Sequence, residues 1–235
     1  MPRSSRRLTA ALLIGAAVLA NLAFIALGSA FDYPAVLQRP AGEILEAFSA
    51  RQVPVSAWFA ILALSAALLA PVAILVGRFS AARTMRLAVA TGVAAAGVQV
   101  VGLLRWPLLV PGIADRYAAG DAAARAVAAS DLETIHRVLG TLVGETFGYL
   151  LTAAWTILVL VALHRTLAGR WFTGLGVVAA VMIATGALVP LGFASLGLVN
   201  FLGYALWSVW LVAFAIVLVR DGRSPTRASE LALAQ

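Results

Sequence analysis

Apolar residues run along the chain in six long blocks, separated by short segments rich in arginine, proline and glycine. The blocks cover approximately residues 8–30, 55–77, 87–109, 138–163, 172–194 and 198–219. Each is about as long as the 20 residues that an α-helix needs to cross about 30 Å of hydrocarbon. The pattern predicts an all-α fold, a polytopic membrane bundle of six transmembrane helices in one domain over 1–220, with a short tail over 221–235.

Two polar stretches between the blocks predict further helices. In PAGEILEAFSAR, Ile44, Leu45 and Phe48 share one helical face opposite Glu43, which is typical of a helix lying at the membrane interface. The alanine-rich stretch 112–137 carries charges of both signs and predicts one or two polar helices with solvated faces.

Composition supports a membrane protein and excludes several kinds of chemistry. Of the 235 residues, 63% are hydrophobic and 11% are charged, and the mean hydropathy is +0.99, whereas soluble domains carry about 25% charged residues. All 17 basic residues are arginines, which excludes a P-loop lysine and a lysine Schiff base. The chain has no cysteine, so disulfides, thiolate nucleophiles and iron–sulfur clusters are excluded as well.

The arginines alternate between the two sides of the predicted bundle. One side carries eleven, namely Arg3, Arg6, Arg7, Arg78, Arg83, Arg86, Arg165, Arg170, Arg220, Arg223 and Arg227. The other side carries six, offset by seven acidic residues between Asp32 and Glu133. The positive-inside rule therefore predicts a multi-pass protein of the cell membrane with both termini in the cytoplasm. The net charge of +7 then indicates contact with anionic lipid at the cytoplasmic face, and no nucleic-acid partner is expected.

The first block has an alternative interpretation as a cleaved signal peptide, because it starts with arginines and ends at Gly28-Ser29-Ala30. Its apolar run is longer than the 7 to 15 residues of a typical signal peptide core. A retained first span is therefore the expectation, and cleavage would leave five spans.

Blocks four and six carry the same polar pattern. The two copies are aligned at a constant offset of 55 residues: Glu145-x-x-Gly148-Tyr149-x-Leu151-x-x-x-Trp155 in block four and Asn200-x-x-Gly203-Tyr204-x-Leu206-x-x-x-Trp210 in block six. In each helix the polar residue, glycine, tyrosine and tryptophan share one face. The pattern predicts either a lined polar site or helix packing, in which glycine permits close approach and polar groups bond between helices. Trp207 and Trp210 fall near the middle of block six and are expected to line an interior.

Block three places further polar residues at the depth of Glu145. Arg105 and Trp106 end this block, and Gln99 shares the face of Trp106. Arg105 is the natural counter-ion for a carboxyl inside hydrocarbon. The alternative is that Arg105 extends to the interface and that Trp106 belongs to an aromatic belt.

The histidines do not predict a metal or haem site. His136 and His164 lie at opposite ends of block four, about 42 Å apart along a helix, so they cannot hold one metal ion in a monomer. His136 is expected at the entrance of the helix, with a place in a proton path as an alternative. No cofactor and no metal are expected, since no HExxH, GxSxG or GxGxxG motif is present.

Four segments together resemble a known family: FDYPAVLQRPAGEILEAF, GLLRWPLLVP, GETFGYLLTAAW and NFLGYALWSVWL. They resemble a bacterial family of six-helix integral membrane proteins catalogued as domain of unknown function four-three-eight-six. The resemblance spans roughly residues 8–220. It implies a polytopic membrane fold without an assigned reaction, and it supplies no catalytic residue.

The leading hypothesis is a non-enzymatic membrane protein that binds or passes a small, partly lipophilic ligand or a proton through a polar pocket. The predicted pocket is lined by Arg105, Trp106, Glu145, Tyr149, Asn200 and Tyr204, with His136 and Gln99 as secondary members. The alternatives are a structural or accessory subunit and, less favoured, an intramembrane enzyme acting on lipid through Glu145 and His136. The sequence leaves the oligomeric state open.

Overall fold

Helices form every regular element of the part of the chain that the computed structural model describes, residues 3–163 and 169–221. The α-helices are α1 Arg3–Phe31, α2 Ala41–Ala50, α3 Gln52–Ala67, α4 Leu69–Gly77, α5 Arg83–Leu108, α6 Val110–Ala119, α7 Ala122–Ile135, α8 Gly148–Leu163, α9 Arg170–Thr185 and α10 Leu196–Asp221. A π-helix, His136–Phe147, joins α7 to α8, and short 3-10 helices cover Ala35–Gln38 and Gly186–Leu191. His164, Arg165, Arg223 and Arg227 lie outside the described residues.

Six helical stretches in the described ranges are long and apolar enough to cross a membrane, as predicted. They are Arg3–Phe31, Gln52–Gly77, Arg83–Ala119, Ala122–Leu163, Arg170–Leu191 and Leu196–Arg220. The third and fourth are longer than the apolar blocks, because α5 leads directly into α6 and α7 leads into the π-helix. The polar helices predicted over 112–137 are therefore extensions of these two spans.

The second span is interrupted at Leu68, between α3 and α4. Pro71 stands in the first turn of α4. Its ring nitrogen cannot donate to the carbonyl of Ala67, and the ring clashes with that carbonyl in a continuous helix. The α-helix therefore stops at Ala67 and starts again at Leu69.

Two buried clusters hold the bundle together. The terminal cluster lies toward the chain termini and includes Leu13, Met85, Trp155, Phe172 and Trp210. The α2 cluster lies at the other end and includes Phe31, Phe48, Phe59, Trp106 and Leu132. Helix α1 contributes to both clusters, since Leu13 belongs to the first and Leu27 to the second.

The apolar face of α2 is covered by protein. Ile44, Leu45 and Phe48 are buried, as the helical pattern predicted, but they lie in the α2 cluster, where α2 packs on α6 and α7. The sequence predicted that this face would lie at the membrane interface. That prediction is wrong, because the face packs on α6 and α7. Helices α6 and α7 form a hairpin with an exposed ion pair between Arg116 and Asp131, and the apolar face of α2 packs against this hairpin.

Candidate functional site

The π-helix His136–Phe147 is the most unusual backbone feature near the predicted site residues, and it contains Glu145. π-Helices generally occur as single turns and are frequent at functional sites, whereas this one extends over 12 residues. The Thr146 hydroxyl donates to the carbonyl of Thr141, five residues earlier, at 2.8 Å. Gly144 on the same segment lies against α5, because a Cβ placed on Gly102 would be 2.5 Å from the Gly144 Cα. The two helices therefore touch backbone to backbone one residue before Glu145.

Arg105 lies inside the protein, with only 5% of its surface exposed. Its guanidinium donates to the carbonyl of Gly102, and its Nη2 lies 3.2 Å from Nδ1 of His136. Because a guanidinium has only donors, that histidine nitrogen is the acceptor. The group also packs over Gly140, where a Cβ would lie 2.7 Å from Nη2. The alternative in which Arg105 extends to the membrane interface is therefore wrong.

Glu145 is half-buried. Within the described ranges its carboxyl makes no ion pair and no hydrogen bond. Arg105 is near enough for the two charges to interact, but its donors are directed to Gly102 and His136. The predicted Arg105–Glu145 ion pair is therefore not formed, because neutral acceptors hold the guanidinium away from the carboxyl.

Three tyrosines complete the surroundings of Glu145. The rings of Tyr149 and Tyr204 are in contact, with centroids 5.8 Å apart. The Tyr204 hydroxyl lies near Thr152 but is buried without a hydrogen bond of acceptable geometry. Both residues interact electrostatically with Glu145.

Tyr33 was not identified in the sequence analysis. It follows α1, and its ring packs on Phe59 with centroids 5.3 Å apart. Burial raises the pKa of Tyr33, the charge of Glu145 raises it further, and that of Arg105 opposes the shift. The signal available in the sequence was its place in the FDYP segment. We call the following six residues the polar cluster: Tyr33, Arg105, His136, Glu145, Tyr149 and Tyr204.

The other predicted pocket residues have different partners. Trp106 is 1% exposed and stacks on Phe59 at 4.8 Å between ring centroids, so the aromatic-belt interpretation is wrong. The Asn200 amide donates to the carbonyl of Ile183 at 2.7 Å. Gln99 donates to the Thr152 hydroxyl at 3.0 Å. Asn200 and Gln99 therefore act between helices.

The repeated faces of blocks four and six meet at equivalent residues. Besides the two tyrosines, the rings of Trp155 and Trp210 are in contact, with centroids 5.9 Å apart. Trp210 is fully buried and Trp207 half-buried, in agreement with the expectation that both line an interior. Trp207 donates to the Thr156 hydroxyl at 2.9 Å.

The packing partners of these faces repeat too. On the first pair of helices, α8 and the preceding π-helix meet α5 at three glycine contacts: Trp155 on Gly92, Gly148 on Gln99, and Gly144 on Gly102. On the second pair, α10 meets α9 and the following 3-10 helix at Trp210 on Gly176, Gly203 on Ile183, and Asn200 on Gly186. The two antiparallel pairs therefore share one register to within a residue.

A sequence signal for this second repeat exists. Two short motifs occur in both copies at an offset of 84 residues. The first is Gly92-Val93-x-Ala95-Ala96, which matches Gly176-Val177-x-Ala179-Ala180, and the second is Gly102-x-Leu104, which matches Gly186-x-Leu188. The α9–α10 pair differs from the α5–α8 pair at the two charged residues, Arg105 and Glu145. Val189 replaces Arg105 and Asn200 replaces Glu145, and α10 is already α-helical from Leu196, where the other copy is still a π-helix.

A metal site does not arise from these groups. Within residues 3–163 and 169–221, no three histidine, aspartate or glutamate side chains lie close enough together to hold a metal ion. The polar cluster instead offers a carboxyl, tyrosine hydroxyls and the donors of a buried guanidinium, which suit a hydrogen-bonding guest or a proton.

The model of one protein family, described as Domain of unknown function (DUF4386), matches residues 8–215. The resemblance seen in the sequence is thereby confirmed over most of the chain. No curated protein and no solved structure matches the chain.

Proposed function

The chain belongs to the DUF4386 family, and we propose that it is a non-enzymatic membrane protein that binds or passes a small, partly lipophilic ligand or a proton at the polar cluster. The family description names no activity, so the proposal rests on the residues around Glu145. In it, the Glu145 carboxyl accepts the guest, Arg105 sets the local potential, and the tyrosine hydroxyls orient the guest.

The comparison of the two helix pairs carries the proposal. The α9–α10 pair keeps the glycine register of the α5–α8 pair with Val189 and Asn200 in place of the two charged residues. Packing of this kind therefore does not require Arg105 or Glu145. An acidic side chain at the centre of a membrane helix is unfavourable by about 2.5–3.5 kcal/mol on insertion scales, which favours a role other than packing.

The hydrogen bonding of Asn200 and Glu145 differs, and this difference supports the same proposal. The Asn200 amide donates to the Ile183 carbonyl, whereas the Glu145 carboxyl has no hydrogen-bond partner in the described part of the chain, and Glu145 as a residue is only half-buried. At the two equivalent positions, Asn200 therefore bonds to a neighbouring helix, whereas the Glu145 carboxyl is unbonded in the described part of the chain.

The test is labelling of Glu145 by a hydrophobic carbodiimide in native membranes, read by mass spectrometry. The reagent enters the apolar phase and reacts with carboxyl groups in their acid form. We expect labelling of Glu145 at neutral pH. Glu43 and Glu46 are exposed and serve as controls, because a water-soluble carbodiimide at mildly acidic pH should label them in the same folded protein.

Two results would count against the proposal. One is a Glu145 that stays unlabelled at neutral pH while the controls react. The other is labelling that proceeds equally when Arg105 is replaced by valine and Tyr149 by phenylalanine, since the surrounding groups would then have no influence on the carboxyl. Either result favours a structural or accessory subunit.

A further inference from the structure

Helix α1 presents an exposed stripe along its whole length. Exposed residues recur at alternating steps of four and three: Arg7, Ala11, Ile14, Val18, Asn21, Ile25 and Gly28. A repeat of four and three residues is the spacing of a helix that packs along a second helix. The same helix buries Leu13, Ala17 and Leu27 in the bundle, so the stripe lies on its outer face.

Asn21 is the polar residue in the middle of this stripe. It lies ten residues before the end of α1 at Phe31, or about 15 Å along the helix, which is the centre of a hydrocarbon layer of about 30 Å. Its amide nitrogen donates to the Ala17 carbonyl at 2.7 Å and to the Ser208 hydroxyl at 3.0 Å. Within the described residues, its amide oxygen accepts no hydrogen bond. Lipid chains cannot supply one.

We infer that this stripe is the interface with a second copy of the chain, in a parallel two-fold dimer centred on Asn21. In such a dimer each residue of the stripe faces its own equivalent, so the two amides meet at the same depth. An amide has two N–H donors and one acceptor oxygen. The Ala17 carbonyl already accepts the backbone N–H of Asn21 within α1, so in the dimer the side-chain N–H that now bonds it turns to the oxygen of the partner's amide, and the bond to Ser208 is kept. A single asparagine in such a stripe is known to fix register and partner number, and asparagines bond between membrane helices.

The inference does not depend on the polar cluster or on its proposed function. Dimer formation through α1 leaves α5, the π-helix and α8 unchanged, so the carbodiimide test and a test of the stripe can fail separately.

Disulfide cross-linking in native membranes tests the interface directly. The chain has no cysteine, so one introduced thiol per chain can only pair with another molecule. We expect Val18→Cys and Ile25→Cys to form dimers on mild oxidation, because residues on a two-fold axis bring their Cα atoms within the about 7 Å that a disulfide needs. Val181→Cys is the control, since Val181 is 59% exposed on α9, away from the stripe.

The role of Asn21 is tested in the Val18→Cys background. Asn21→Leu should weaken dimer formation roughly three- to thirty-fold, the range that one hydrogen bond between membrane helices supports. Ser208→Ala is the matched control, because it removes the same bond between α1 and α10 but keeps the amide. We expect it to leave dimer formation unchanged, and thermal unfolding in detergent shows that both variants are folded.

Three results would overturn the inference. The first is equal cross-linking at Val18, Ile25 and Val181, which indicates random collision. The second is an equal loss of dimer in Asn21→Leu and Ser208→Ala, which confines the amide to a role within one chain. The third is a cross-linked product whose mass differs from that of two copies, which shows that another protein occupies the stripe.

Discussion

Arg105 is a buried cation bound mainly by neutral groups. Its guanidinium donates to the Gly102 carbonyl and to His136, and it lies over the Trp106 ring at 5.3 Å. Removing one partner of a buried charge leaves an uncompensated group and is strongly destabilising, whereas replacing a nearby charge that is not bonded to it is expected to have a smaller effect. The arrangement therefore gives Arg105 a structural role besides the potential that it sets at Glu145, and it leaves the Glu145 carboxyl without a bonded partner among the described residues.

A double-mutant cycle tests this separation at the residue scale. Arg105→Met should lower the free energy of unfolding by about 1–3 kcal/mol, because the Gly102 carbonyl and His136 lose a charged donor. Glu145→Gln should change it by less than about 0.5 kcal/mol, and the effects should add within about 0.5 kcal/mol. Denaturant unfolding in detergent, followed by tryptophan fluorescence, measures all four proteins. A double variant more stable than either single variant would instead indicate an ion pair that fixes helix register.

At the scale of elements, the approach of α5 to the π-helix is set by glycine. A Cβ on Gly102 would lie 2.5 Å from the Gly144 Cα and 2.9 Å from the Leu139 carbonyl oxygen. Both are backbone atoms and cannot move aside without moving the helix. The position of Glu145 relative to α5 therefore depends on a residue three positions before Arg105.

Gly102→Ala should consequently destabilise the protein by about 1–3 kcal/mol, the range for overpacking in a dense core. Gly97→Ala on the same helix is the control, because a Cβ there meets nothing within 4 Å. Unfolding midpoints in detergent should fall for Gly102→Ala and stay within error for Gly97→Ala. An equal response of the two variants would show that the backbone contact is not tight.

For the whole molecule, the arginine distribution predicts the direction in which the bundle crosses the membrane. The connection between α4 and α5 carries Arg78 and leads to Arg83 at the start of α5, and it lies at the opposite end of α5 from the α6–α7 hairpin. The positive-inside rule places the former in the cytoplasm and the latter outside.

Cysteine labelling on intact cells measures this orientation. Ala118→Cys in α6 should react with a membrane-impermeant maleimide, whereas Ala81→Cys should react only after the cells are permeabilised. Both positions are exposed, so access to the reagent and not burial decides the result. The reverse pattern would place both termini outside the cytoplasm.

Sequence alone determined the spans of this protein and part of its packing. Six apolar blocks were sufficient because a chain in hydrocarbon must satisfy its backbone internally, which leaves helices as the structure for such blocks. The face shared by Glu145, Tyr149 and Trp155 followed from helical spacing, and its copy in α10 from direct comparison. The glycine and alanine repeat between α5 and α9 was also readable but was recognised only from the helix contacts.

Only the tertiary structure decided which groups these faces meet. Arg105 was within reach of Glu145 by depth, yet its guanidinium donates to the Gly102 carbonyl of its own helix and to His136 of the neighbouring π-helix. The face of α2 suited lipid as well as protein, and the α6–α7 hairpin covered it. The π-helix has no clear signal in its residues, and it lies where α5 approaches most closely at Gly144. Hydrophobic pattern and length are local properties of the chain, whereas the partner of a side chain depends on which helices become neighbours.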